Sequence, residues 1–254
     1  MPQVSIITPT YNCARFIEET IKSVQAQTFT DWEMIISDDC SSDNTKEVIA
    51  PYLASDSRIK YICNDKNSGA AITRNNALRI ASGRWIAFLD SDDLWLPEKL
   101  EKQISFMIEN GINFSYTNYS EIDENGNPLG IVVTGPRKIS KFGMYAYCWP
   151  GCLTVMYDSQ YVGLIQIDDI KKNNDYALWL KVIKRADCYL LKENLAKYRK
   201  RAGSISNHSY SSLIKWHYRL FKENDKQNPF VSSILTLGNI VFGICKKFIY
   251  IKHF

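Results

Sequence analysis

The chain's 254 residues suffice for one sizeable domain or a domain with an appendage, and a make-up that is 45% apolar and 13% aromatic excludes wholesale disorder. Its seven cysteines are odd in number and unpaired in spacing; Cys148 and Cys152 come closest, but no Cys or His follows at zinc-site distance, so reduced thiols in a cytoplasmic protein are expected. The net charge of +4 is unevenly shared: eleven Lys and Arg from Lys197 onward face only Glu223 and Asp225, so this tail is +9 and residues 1–196 are −5, which points to an anionic partner such as a membrane, a pyrophosphate or a nucleic acid.

The opening MPQVSIITPTYN has no basic stretch before its apolar run, and a proline interrupts it, so no signal peptide is expected. Residues 4–8 read as a buried strand, followed by a helix with Ile17, Ile21 and Val24 on one face. Residues 32–37 form the second strand. Ser41 to Asp43 start a helix carrying Val48 and Ile49, and residues 58–63 form the third strand. A helix over 70–81, closed by Gly83, leads to a fourth strand at 85–89. Pro97 then opens another helix at its first position, with Leu100, Ile104, Met107 and Ile108 as the buried face. This alternation predicts an α/β fold: a mostly parallel sheet, helices on both faces, and ligands at the carboxyl ends of the strands.

Beyond residue 112 the pattern loosens. Strands are expected at 116–123 and 153–157, with a turn over 124–128. A helix opens at Asn174-Asp175 with Trp179, Val182, Ile183 and Ala186 inward, and short strands follow at 188–191 and 195–199. After about 207, Lys215, Arg219, Lys222 and Lys226 recur along one helical stripe until Asn228-Pro229 breaks it. Residues 234–251 are mostly apolar but interrupted by Thr236, Asn239, Lys246 and Lys247. A span needs roughly 20 apolar residues. This stretch is too short and too polar for one, so an interfacial helix pair is expected, or a tail packed on the domain. No repeat or low-complexity segment is present.

Three polar clusters end predicted strands. Asp90-Ser91-Asp92-Asp93 puts three carboxylates within four residues, which repel one another unless a cation sits among them. Oxygen ligands at a sheet mouth suit Mg2+ or Mn2+ shared with substrate phosphates; the alternative is an acidic loop with Asp93 as helix cap. Ser37-Asp38-Asp39 offers an acceptor for a nucleobase imide N–H, or a plain cap. Thr8-Pro9-Thr10-Tyr11-Asn12 offers a rigid exit and a ring that can stack on a base, or a simple turn.

Together these clusters resemble the GT-A fold of family 2 glycosyltransferases. The matching text is VSIITPTYN, then Ser23-Val24-Gln25-Ala26-Gln27-Thr28, DWEMIISDDCSSDNT, Asn67-Ser68-Gly69 with Thr73-Arg74-Asn75, and GRWIAFLDSDDLW with Pro97-Glu98-Lys99-Leu100. The similarity is strong to about residue 110 and looser to about 206. It implies a catalytic domain at 1–206, its nucleotide-binding half at 1–110 and its acceptor-side half at 111–206, and a basic helical tail at 207–254. It also implies a metal-dependent, inverting transfer of a sugar from a nucleotide-diphosphate donor. UDP is favoured, with dTDP and GDP open. The implied acceptor is a polyprenyl-pyrophosphate-linked glycan of a bacterial surface polysaccharide such as O-antigen, capsule or teichuronic acid. No nucleic acid is expected.

By the same resemblance, Pro9 and Tyr11 flank the nucleotide and Asp39 accepts from uracil N3–H. Asp92 lies near ribose and metal, and Asp93 ligates the ion with Asp90 in support. Arg74 approaches the diphosphate or a neighbouring carboxylate. Asp175 is the acceptor-side base, with Asp168 and Asp169 as runners-up. Asn174 and Ala177 depart from the family's usual Glu and Asp, which leaves open a catalytically degenerate, nucleotide-sugar-binding member. The segment from Tyr198 to Ser206 is of the kind that closes over the diphosphate, with Lys200 or Arg201 reaching phosphate. The Gln-x-x-Arg-Trp motif of processive members is missing, so one sugar per encounter is expected. A nucleotidylyltransferase wants a Gly-rich loop after the first strand, and TPTYNCAR is not one. Trp95, Trp149 and Trp179 are candidate sugar-stacking faces, with core packing favoured for Trp179. His208 is expected in solvent.

Overall fold

The computed structural model describes residues 2–201 and 210–254. His208 and the 202–206 part of the closing segment lie outside the described residues. Four strands, β1 (Val4–Thr10), β2 (Trp32–Asp38), β3 (Ile59–Cys63) and β4 (Trp85–Phe88), alternate with helices α1 (Ile17–Gln25), α2 (Thr45–Ser55) and α3 (Ala70–Ile80). All four strands run parallel in the order β4-β1-β2-β3. Val4 pairs with Trp32 and Trp85, and Thr10 pairs with Asp38, so the polar strand ends share one edge. The expected α/β, GT-A-like arrangement is present.

The next elements are β5 (Leu94–Trp95), α4 (Lys99–Glu109), β6 (Phe114–Ile122), β7 (Pro128–Val133), β8 (Lys138–Ile139) and α5 (Lys141–Ala146). A 3-10 turn at Cys152–Thr154 leads to β9 (Met156–Asp158), α6 (Ser159–Val162), α7 (Asn174–Val182) and β10 (Cys188–Arg199). The antiparallel β9 lies between β4 and β6 and so joins the two halves into one sheet. Side chains alternate across it. Ile7, Ile35, Ile86 and Phe88 pack under α3 and α7, whereas Ile6, Met34, Ile36 and Ala87 pack under α1, α2 and α4.

Several expectations are corrected. Pro97 is not the first helical residue: its carbonyl accepts Thr28 N–H at 2.9 Å, and α4 begins at Lys99. Ile108 is exposed, because Leu100, Ile104 and Met107 already fill the inward stripe. The two short strands expected at 188–199 are one, β10, with register shifts at Leu191/Asn194 and Asn194/Ala196 absorbing the polar interruption. Trp95 and Trp149 are buried and offer no open sugar-stacking face. Trp95 donates to Leu153 O at 2.7 Å under the Lys99 Nζ, and Trp149 packs on Tyr147, Phe242 and Tyr250. Trp179 is fully buried, edge-on to Phe88.

In the tail, α8 (Tyr210–Arg219) continues through a wide π turn, Leu220–Asn224, into α9 (Pro229–Ile249) and β11 (Ile251–His253). The basic stripe does not run its expected length. Arg219 pairs with Glu223, and Lys226 adopts a left-handed φ of 56° where the chain turns away. Asn228 caps α9 by accepting Val231 N–H at 2.9 Å, and Pro229 takes its first position. Strand β11 pairs antiparallel with β7, so the end of the tail joins the main sheet.

Candidate active site

Pro9 sits in β1 opposite Ser37, beyond the last residue that β4 pairs, so its missing N–H leaves no ladder bond unmade. Tyr11 follows at the rim, 47% exposed. Asn12 and Cys40 both take left-handed φ values, 47° and 61°, at the ends of β1 and β2, and such backbone persists where its surroundings hold it. The side-chain oxygen of Asn12 accepts Ser42 N–H at 2.8 Å, clamping the two loops together. Asp39 is buried: Oδ1 accepts Ser68 N–H at 2.7 Å and Asn64 Nδ2 at 2.8 Å, and Oδ2 accepts Gly69 N–H at 2.8 Å. It organises the loop before α3, beside the strand ends.

The Asp90–Asp93 loop is held from behind by α1. Thr20 Oγ1 donates to Ser91 O at 3.0 Å or Asp93 O at 2.9 Å, and the Cys13 thiol donates to Ser91 O at 3.2 Å. Burial pushes that thiol up to about 12, which keeps it a neutral donor. The three aspartates differ. The side chains of Asp90 and Asp92 are 31% and 17% exposed, whereas Asp93 is 1% exposed and its Oδ1 accepts Arg199 N–H at 2.9 Å. Burial and then the charge of Asp90 raise the Asp92 carboxyl, and burial with Asp92 and Asp90 raises Asp93 further.

Three arginines answer this charge. Arg74, buried on α3, donates to Asp90 Oδ1 at 2.5 Å and to the side chain of Asn174 at the start of α7, linking the end of β4 to α7. Arg201 lies 2.7 Å from Asp92, whereas Lys200 pairs with Glu121 on β6 at 2.8 Å. Arg199 was not anticipated. It is fully buried, and its guanidinium donates to Asp92 O at 2.8 Å, Glu124 O at 3.1 Å and Glu19 at 2.6 Å. Its signal was its place at the end of β10, directly before the Lys200-Arg201 pair.

Asp175 stands in the first turn of α7, after Asn173 with a left-handed φ of 59°. Its Oδ1 accepts Tyr176 N–H at 2.8 Å. Burial raises its pKa above the ordinary carboxylate range, against the pull of the Arg74 guanidinium. Asp90, Arg74 and Asp175 therefore act on one another electrostatically. Asp168 is instead tied to Lys181 at 2.8 Å, and Asp169 is exposed in the preceding loop. A polar cavity of about 360 Å3 near Asn113, Arg185 and Asp187 lies elsewhere and includes none of these residues.

The donor set fits Mg2+ or Mn2+. Asp90 and Asp92 are hard oxygen ligands, partly open and raised in energy by mutual repulsion. Among the described residues no three His, Cys, Asp or Glu side chains form a closed cage, so phosphate oxygens and water would complete the coordination.

Comparison with known proteins follows the same line. The model of "Glycosyl transferase family 2" matches residues 5–148. TuaG of Bacillus subtilis, named for teichuronic acid biosynthesis, is 43% identical over 84% of this chain and 85% of its own. WfgD of Escherichia coli, a UDP-Glc:alpha-D-GlcNAc-diphosphoundecaprenol beta-1,3-glucosyltransferase, is 41% identical over 96% of this chain and 94% of its own. Among solved structures, Staphylococcus aureus TarS 1–349 with UDP-GlcNAc superposes with a TM-score of 0.70 at 20% identity, covering 97% of this chain and 72% of that one. The mannosyltransferase PcManGT of Pyrobaculum calidifontis, with GDP-Man and Mn2+, gives 0.68 at 16% identity over 97% and 71%.

Proposed function

The chain belongs to glycosyl transferase family 2, and from that premise we propose that it moves a sugar, with inversion, from a UDP-sugar to a hydroxyl of a polyprenyl-diphosphate-linked glycan in bacterial surface-polysaccharide assembly, at the cytoplasmic face of the membrane. One arrangement carries the reading: Arg74 joins Asp90, at the end of β4, to Asn174 at the start of α7, and its charge and that of Asp90 act on Asp175. Pro9 and Tyr11 flank the nucleotide, and Asp39, which already orders its loop through three accepted bonds, offers its remaining Oδ2 lone pair to the base. Asp90 and Asp92 would hold a divalent ion, with Asp93 fixing the loop that carries them. Such an ion, when bound, would supply neutralisation of the departing diphosphate. Arg201, now on Asp92, is within reach of the same phosphates, and Lys200 flanks it. Asp175 accepts the proton that the acceptor hydroxyl loses as it attacks the anomeric carbon. UDP is favoured because the TarS complexes name UDP and UDP-GlcNAc and WfgD names UDP-Glc, while PcManGT keeps GDP in view.

Calorimetric titration with UDP, GDP and dTDP, with and without Mn2+, tests the donor site. The expected outcome is Mn2+-dependent binding of UDP, lost in Asp92→Asn. If a folded sample binds no diphosphate, the donor assignment fails and the degenerate reading left open by Asn174 and Ala177 takes its place. Turnover on a GlcNAc-diphosphate-lipid acceptor eliminates that reading.

A further inference from the structure

Helix α9 is built inside out. Ser232, Thr236 and Asn239 are its buried residues, and all are polar. On the same stripe, Gly243 lets the Tyr147 ring approach until an added Cβ would lie 3.0 Å from it, and Lys246 donates to Trp149 O at 3.0 Å. Asn239 donates to Tyr145 O at 3.1 Å or to the hydroxyl of Tyr176 at 3.3 Å. The opposite stripe, Phe230, Ile234, Leu237, Val241, Ile244 and Phe248, is apolar and is 75%, 53%, 64%, 49%, 51% and 84% exposed. The two stripes are offset by two residues, about 200° around the helix axis, so they are opposite faces. A soluble surface helix puts its apolar face inward. The interruptions that make the sequence look too polar for a span are therefore the face that grips the protein.

The helix is long and apolar enough to cross a bilayer, but it is tied down at both ends. Before it, Asp225 holds Tyr145 at 2.8 Å and also Lys184; after it, β11 is paired into the sheet. It lies along the domain for about 32 Å. Beside it, the 88% exposed Phe142 of α5 extends the apolar surface, and a groove of about 310 Å3 between them is lined by Ile139, Ala146, Trp149 and Phe242. No acidic residue occurs from Pro229 onward, whereas Lys247 and Lys252 are exposed there.

We propose that α9 seats the enzyme in the plane of an anionic lipid bilayer, its outer stripe entering the headgroup–acyl boundary and its lysines meeting the headgroups. An apolar stripe of this size needs a non-aqueous neighbour. The basic, acid-free rim matches anionic headgroups better than a second, equally basic copy of this chain. The seat also places the chemistry, since Asn239 touches Tyr176, the residue next to Asp175. The site thus lies against the element that meets the lipid. This extends the function proposed above without depending on it, because vesicle binding and nucleotide binding are read separately.

The test is flotation of the full chain with phosphatidylglycerol/phosphatidylethanolamine vesicles and with phosphatidylcholine vesicles. Wild type should bind both, more tightly to the anionic ones. The pair Leu237→Glu and Val241→Glu, at exposed positions, should weaken binding by about tenfold or more on both, with the thermal melt and UDP titration unchanged. Lys247→Glu with Lys252→Glu should weaken only anionic-vesicle binding and its salt dependence. The proposal is overturned if wild type does not float, or if the Leu237/Val241 variant floats equally well. It is also overturned if light scattering finds a soluble dimer that this variant dissociates. Vesicle binding without nucleotide binding would leave the seat standing and sink the function.

Discussion

The backbone N–H of Arg199 donates to Asp93 Oδ1 at 2.9 Å, joining the end of β10 to the acidic loop after β4 across 106 positions of chain. That bond holds Asp93 buried, while Asp90 and Asp92 stay partly open beside Arg74 and Arg201. Asp93→Asn keeps an acceptor there, so donor binding with Mn2+ should survive within about threefold. Asp93→Ala leaves a buried N–H unpaired and should lower unfolding stability by about 1–3 kcal/mol. Asp92→Asn should do the reverse, abolishing the Mn2+ dependence with little loss of stability. Calorimetry and urea titrations of the three variants distinguish a loop-fixing Asp93 from an ion ligand.

Replacing Arg199 by Met should be costlier. The change leaves the backbone bond to Asp93 but strands Asp92 O and Glu124 O at a buried site and unpairs Glu19. Leaving the two carbonyls without a donor costs about 1–3 kcal/mol each, whereas Glu19 is half exposed and adds little. A urea midpoint indistinguishable from wild type would mean that Arg199 is not the hub of this corner.

Asp175→Asn should lower kcat by about 100-fold or more while leaving UDP affinity unchanged, since a base acts on the acceptor side. The pH profile should agree. A base works deprotonated, and burial raises the Asp175 pKa, so activity should fall as pH drops through a value above the ordinary carboxylate range. Arg74→Gln removes the cation that opposes this rise and should shift the acid limb to higher pH. An acid limb unmoved by Arg74→Gln would separate the two residues.

Gly83 offers a test of packing. A Cβ there would meet Ser5 N at 2.5 Å and Val4 C at 2.7 Å, both backbone atoms of the central strand. Gly83→Ala should therefore destabilise by about 1–3 kcal/mol, the usual cost of overpacking, with its Tm lowered and its donor affinity retained in the folded fraction.

Much of this molecule is local in origin and so legible in its sequence. The β/α alternation, the acidic strand ends and the Asn-Asp start of α7 follow from periodicity and composition, because strands and helices declare themselves within a few residues. The sequence therefore determined the sheet, its functional edge and the candidate carboxylates. It could not rank Asp90, Asp92 and Asp93, since adjacent carboxylates are chemically alike until a distant N–H occupies one of them. Nor could it show that Arg74 joins Asp90 to Asn174, or that Arg199 gathers Glu19 and two loop carbonyls, because these networks close through contacts as far as 100 and 180 positions apart. The tail is the sharpest case. Ser232, Thr236 and Asn239 look like flaws in an apolar helix until tertiary packing shows them gripping the domain. Which face of a helix meets protein and which meets its surroundings is a property of the whole fold, not of the helix.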